Sequence, residues 1–167
     1  AMKLRSSVFS APPYTENRHN AMSCMSRPSG RKCAKVGRMS IVVSFPGGVR
    51  VDASFRGNTV QTDQPEPIGH NSAMSPFDLF LASIATCMGF YALRFCQERA
   101  LATDGLTLTL NPVRDPGTKR LTTIQVRMQA PAGFPEKYEK ALHRAVDQCA
   151  VKKALFDPPE FDIEITL

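Results

Sequence analysis

Two thiols are the residues of this chain best suited to chemistry. Cys87 lies in the apolar run from Ser75 to Phe90, and Cys149 lies in Asp147-Gln148-Cys149-Ala150-Val151, near the end of a second amphipathic run. A thiolate attacks an electrophile, and a second thiol close by can condense with the oxidised product to form a disulfide. The two therefore fit an attacking and a resolving thiol. They also fit as core filler, because free Cys is among the most buried residue types. Cys96 falls on the opposite helical face from Cys87 and reads as packing.

The remaining candidates are weaker. Cys24 and Cys33 lie near the N-terminus, there is no Cys-x-x-Cys, and His19, His70 and His143 are scattered. Neither a zinc site nor a secreted disulfide framework is indicated, so no metal or cofactor is expected and a reducing cytoplasm is the expected location.

The elements that must position the thiols can be read from periodicity. Ile41 to Phe45, Val49 to Phe55 and Thr59 to Thr62 form three short strands, separated by turns at Pro46-Gly47-Gly48 and Arg56-Gly57-Asn58. Ser75 suits a helix N-cap, Pro76 the first helical position and Asp78 the third, so a helix is predicted from there to Ala100. About 25 residues would span roughly 37 Å, enough to cross the core. One stripe of this helix is small (Ala82, Ala85, Gly89, Ala92, Cys96), which suits close approach of another backbone. The other stripe is bulky (Phe80, Ile84, Phe90, Tyr91, Arg94) and contains Cys87.

Leu106, Leu108 and Leu110 alternate with threonines, Asn111 to Arg120 reads as a loop, and Thr123 to Ala130 alternates again; these are two strands of a hairpin. A second helix is predicted from Pro135 to Asp157, carrying Cys149, and Phe161, Ile163, Ile165 and Leu167 alternate as a terminal strand. The order β-β-β-α-β-β-α-β, with short turns between strands, implies antiparallel sheets and an α+β fold.

The 167 residues carry a net charge of +6, but residues 1–38 hold eight cations against Glu16 alone, so the remainder is slightly acidic. The basic character belongs to an N-terminal extension over residues 1–39, not to a nucleic-acid-binding face. That extension is rich in Ser, Pro, Arg and Asn, without sustained periodicity, and lacks the apolar segment of a secretory signal. An organelle transit sequence, an expression scar or an over-long start all fit it, and Met39 could open a complete domain over 40–167. No apolar stretch reaches about 18 residues without a charge, so no membrane span is expected.

Ser75-Pro76-Phe77-Asp78-Leu79 through Ala85-Thr86-Cys87, followed about sixty residues on by Cys149-Ala150-Val151, resembles the OsmC/Ohr family. The resemblance implies an intertwined homodimer, with two long sheets wrapped around central helices and active sites at the subunit interface. It also implies a thiol-dependent reductase of organic hydroperoxides, with Cys87 peroxidatic, Cys149 resolving and a dithiol as reductant. The hydroperoxide reductases place a Glu directly after the helix-opening Pro, where it works with an Arg. Here Phe77 holds that place, and Asp78 falls about 180° from Cys87 on an ideal helix. Arg50 is the Arg chosen from strand position; Arg94 is the helical alternative, although it can pair with Glu98 at i+4. The other reading is a non-peroxidatic binding or sulfur-carrying protein, with an apolar or sulfur-containing ligand in a pocket around Phe77, Phe80, Phe90 and Tyr91.

Overall fold

Residues 40–167 are described by a computed structural model. The basic extension at 1–39, with Cys24 and Cys33, lies outside the described residues. Three strands come first: β1 (Val42–Gly47), β2 (Arg50–Phe55) and β3 (Asn58–Thr62), paired antiparallel in that order. Val42 faces Ser54 and Val51 faces Thr62; β2–β3 keeps one register, whereas β1–β2 shifts by one residue between Ser44 and Gly47. The first turn falls later than the sequence suggests. Pro46 remains in β1, and Gly47 and Gly48 take φ of 134° and 59° to reverse the chain. Pro46 is tolerated there because β1 is an edge strand, where a missing N–H breaks no ladder.

The loop from β3 to the long helix is built on Asp63. Its carboxylate accepts from the backbone N–H of Gln64 (2.8 Å), His70 (3.2 Å) and Ser72 (3.0 Å) and from the Ser72 hydroxyl (2.7 Å). The Ser72 hydroxyl and N–H, followed by the other two, hold this acid well below the usual carboxylate range despite its burial. Gly69 lets the loop close on itself, since a Cβ there would lie 2.3 Å from the Gln64 carbonyl oxygen.

Helix α1 (Pro76–Gln97) opens as predicted. Ser75 Oγ accepts from the Asp78 N–H at 3.2 Å, and Asp78 accepts from the Ser75 N–H at 3.1 Å, a reciprocal cap. The helix stops three residues before Ala100, which adopts φ of 51° and turns the chain back toward Leu101. By length and composition α1 could cross a bilayer. Its contacts, however, are with β4, α2 and α3, those of a core helix in a folded domain.

Strand β4 (Thr107–Arg114) pairs antiparallel with β5 (Leu121–Gln129), with Leu110 opposite Val126 and Leu108 opposite Met128. The loop expected over 111–120 therefore starts later: Asn111 to Arg114 belong to β4, and residues 115–120 form the turn around Asp115-Pro116-Gly117. Asn111 and Pro112 hid this extension, because both disfavour strands in isolation; in an edge strand Pro112 costs no ladder bond.

The single second helix is also corrected. A 3₁₀ turn (Glu136–Tyr138) leads into α2 (Glu139–Val146), the chain breaks at Asp147–Cys149, and α3 (Ala150–Phe156) follows. The terminal strand does not form: residues 157–167 carry no regular structure, and Phe161, Ile163 and Ile165 are 87%, 81% and 80% exposed. Its alternation is genuine, but a strand needs a neighbour, and among the described residues it has none.

Two apolar clusters flank α1. Ala92, Phe95 and Cys96 pack with Leu142 of α2. One to three turns earlier, Ile84 and Met88 pack with Cys149, joined by Phe80, Cys87, Leu108, Leu110, Ile124, Val126 and Val151.

Candidate functional site

Cys149 is not inside a helix but at the N-cap of α3. Its sulfur accepts from the Lys152 N–H at 3.3 Å and donates to the carbonyl oxygen of Ile84 at 3.8 Å. This break between α2 and α3 aims the chain end of α3 at Cys87 on α1. Cys87 packs on the cluster that holds Cys149, where the N–H groups of Val151 and Ala150 and the Cys149 thiol favour its ionised form. The fold thus brings together the two thiols that lie 62 positions apart. Both remain free thiols, as does Cys96.

Their environments differ in a useful sense. Partial burial pushes the Cys87 thiol up, but the Val151 N–H, the Cys149 thiol and the Ala150 N–H outweigh it, so Cys87 lies below its ordinary value. Cys149 is wholly buried, and burial, only partly offset by the Lys152 N–H and reinforced by the neighbouring Cys87 sulfur, raises it. Cys87 is also the more accessible of the two. The arrangement sets a partly exposed thiol of increased acidity beside a buried thiol of reduced acidity. Burial likewise pushes Cys96 up, and it packs in the other cluster.

The other anticipated residues do not converge as a group. Arg50 lies on β2, with its guanidinium 3.9 Å from the Asp52 carboxylate. Arg94 pairs with Glu98 at 2.6 Å. Phe77 and Phe80 form one ring pair (centroids 5.6 Å apart), and Phe80 packs on the thiol cluster. Phe90 and Tyr91 form a second pair (5.7 Å); Phe90 is exposed, and Tyr91 lines a cleft with Arg94, Arg144 and Gln148.

Two features escaped the sequence reading. Arg114, placed in the supposed loop, ends β4 with its guanidinium 4.7 Å from the Phe77 ring centroid. The second is a largely apolar cavity of about 720 Å³ between β5, α2 and α3, which shares Ile84 and Met88 with the thiol cluster. No local pattern signals such a cavity, because its walls come from distant segments. Among the described residues, no group of three or more His, Cys, Asp or Glu is arranged to hold a metal ion.

A half-exposed thiol and a buried thiol, held between a long capped helix and a short one in an antiparallel α+β domain, define a two-thiol protein. A family profile described as "OsmC-like protein" matches residues 69–164, and the chain belongs to that family. The fold is similar to that of a Psychrobacter arcticus 273-4 protein named for osmotic stress induction and a detoxification response. The two are 23% identical, with a TM-score of 0.61, over 71% of this chain and 88% of that one. It is also similar to an OsmC-like protein from Mycoplasma pneumoniae, 14% identical with a TM-score of 0.59, over 74% of this chain and 90% of that one. No curated protein matches the sequence.

Proposed function

We propose that the protein is a thiol-dependent reductase of organic hydroperoxides. The observation that carries this reading is the packing of Cys87 against the Cys149 cluster, with opposite shifts in the acidity of the two thiols. The Cys87 thiolate attacks the distal peroxide oxygen; an S–O bond forms, the O–O bond breaks, and the alkoxide leaves as the alcohol after taking a proton. Sulfur is oxidised to a sulfenic acid as the peroxide is reduced. Cys149 then attacks that sulfur, forming the disulfide and releasing water. A dithiol reductant returns both thiols and leaves as its own disulfide.

The same reading places the protein in a reducing cytoplasm as a homodimer. Three observations support the dimer. Val43, Phe45 and Val60 of the first sheet are exposed, the C-terminal alternating segment has no partner among the described residues, and the small stripe of α1 is only half covered. Ala92 and Cys96 are buried under α2, whereas a Cβ added at Gly89 would meet nothing within 4 Å. A second copy packed on Ala85 and Gly89 would cover the rest.

The deciding experiment is a lipoyl-coupled peroxidase assay with cumene hydroperoxide and hydrogen peroxide. Turnover that depends on Cys87 and prefers the organic substrate is expected. The second reading, a non-peroxidatic binding or sulfur-carrying protein, is favoured by the 720 Å³ apolar cavity, a volume in the range of small-molecule pockets. It becomes the better one if Cys87 stays reduced under peroxide.

A further inference from the structure

We propose that the cleft between the C-terminal end of α1 and α2 is a binding site, separate from the thiol pair, for a phosphate monoester carried on an aromatic or apolar body. The cleft has a volume of about 450 Å³, within the range of small-molecule sites. The end of α1 supplies Tyr91, Arg94, Glu98 and Arg99, and α2 supplies Arg144. Neither Cys87 nor Cys149 lines it.

Three guanidiniums there share one carboxylate. Glu98 accepts from Arg94 at 2.6 Å, and Arg99 stands 3.8 Å from its other oxygen. Arg144 has no ion pair and no hydrogen bond among the described residues. The next acid on from Arg144, Asp147, is occupied by Lys152. The cleft therefore keeps an excess of about two positive charges, the complement of a phosphate monoester near neutral pH. A cation also suits the carbonyl end of a helix, and Arg94 serves α1 in that way. Arg99 stands beyond the end of α1 and Arg144 on the other helix, so the three converge on the cleft, not on one terminus.

The donors are held in place. The Arg99 guanidinium lies 3.9 Å from the Phe95 ring centroid and donates to the Phe95 carbonyl oxygen at 3.1 Å. Gln148, also in the cleft, has its amide oxygen taken by Lys153 at 2.7 Å, so the polar group it has left is its NH₂, a donor. Phosphate oxygens only accept, and a planar guanidinium meets them in two parallel hydrogen bonds. Tyr91, Ala141 and Ala145 supply apolar wall for the body of the ligand. Glu98 follows Gly89 by nine residues, about 180° around the helix axis, so a second copy packed on Ala85 and Gly89 would leave the cleft open.

The test measures binding of phenyl phosphate and inorganic phosphate by ³¹P line broadening at low salt, in wild type, Arg144→Gln, Glu98→Gln and Arg120→Gln. Arg120 lies in the β4–β5 turn, which meets the opposite end of α1 through Arg114 and Phe77, and it controls for net charge. Wild type is expected to bind phenyl phosphate saturably and more tightly than inorganic phosphate, and to weaken as salt rises. Arg144→Gln should weaken binding about two- to fivefold, the value of one exposed charge pair. Glu98→Gln, which removes the competing carboxylate, should tighten it by a similar factor, a gain that misfolding cannot imitate. Arg120→Gln should leave it unchanged. Absence of saturable binding, equal weakening in Arg144→Gln and Arg120→Gln, or no gain in Glu98→Gln overturns the site. Equal affinity for the two phosphates overturns the assignment of an organic body. None of these readings depends on turnover, so the site stands or falls apart from the peroxidase reading.

Discussion

The sulfur of Cys149 lies 3.8 Å from the carbonyl oxygen of Ile84, one helical turn before Cys87. This contact joins the N-cap of α3 to the middle of α1 and holds Cys149 buried in the cluster on which Cys87 packs. Mild oxidation should therefore link Cys87 and Cys149 within one chain, a bond that requires Cα atoms about 4.4–6.8 Å apart. Cys149→Ser should leave a trappable sulfenic acid on Cys87, and Cys87→Ser should abolish turnover. Mass spectrometry of peroxide-treated protein checks both; oxidation of Cys24 or Cys33 ahead of Cys87 would sink the assignment.

Reactivity should follow the direction of the two acidity shifts. Cys87 lies below its ordinary value, so its alkylation by iodoacetamide should rise with pH to a midpoint below that of the same thiol in denatured protein. Cys149 should remain unmodified until higher pH. The depressed group also contributes to stability: that contribution is complete above the unfolded-state value and is lost as pH falls through the folded one. A Cys87 midpoint at or above that of denatured protein would contradict the favouring of its ionised form by the Ala150 and Val151 N–H groups.

Phe77 stands where the hydroperoxide reductases carry an acid, and the guanidinium beside it is Arg114, not Arg50. Phe77→Glu would exchange the ring contact for an ion pair with Arg114. Turnover of a neutral hydroperoxide is expected to rise by up to about fivefold, the value of one exposed pair. Phe77→Leu, which also loses the ring, should give no gain. Parallel kcat/KM measurements on the two variants separate the carboxylate from the loss of stacking.

The loop that delivers the chain to α1 should be intolerant of added volume. Gly69→Ala puts a methyl against the Gln64 carbonyl and the Asp63 carboxylate, and backbone must shift. A loss of about 1–3 kcal/mol is expected in denaturant titration. Asp63→Asn should lower the melting temperature near neutral pH and reduce the acid sensitivity. The folded-state acidity of Asp63 is strengthened, so its stabilisation is present above pH about 4 and lost below it.

Assembly can be separated from folding at Gly89. In the single chain a side chain there meets open space. Gly89→Leu should therefore leave the protomer folded by circular dichroism while dissociating the proposed dimer in light scattering; Ala85→Leu should cost the proposed contact about 1–3 kcal/mol. A wild type that is monomeric at micromolar concentration would remove the interface.

Local chemistry carried much of this fold in the chain itself. Ser75, Pro76 and Asp78 specified where α1 begins, because a cap needs only neighbours within one turn. Alternation specified β2 and most of β5, and the Cys87 and Cys149 contexts singled out two thiols for attention. Tertiary structure decided the rest. Helical spacing runs unbroken through Gln148, so the break that turns Cys149 into a cap was invisible; it exists because its sulfur satisfies the Lys152 N–H and meets Ile84 of another element. Arg114 was lost in a supposed loop because Asn111 and Pro112 look unlike strand, and only pairing with β5 carries the strand that far. The terminal segment shows the converse. Its alternation is clear from Phe161 to Leu167, yet a strand is a relation between two segments, and the described residues supply it no partner.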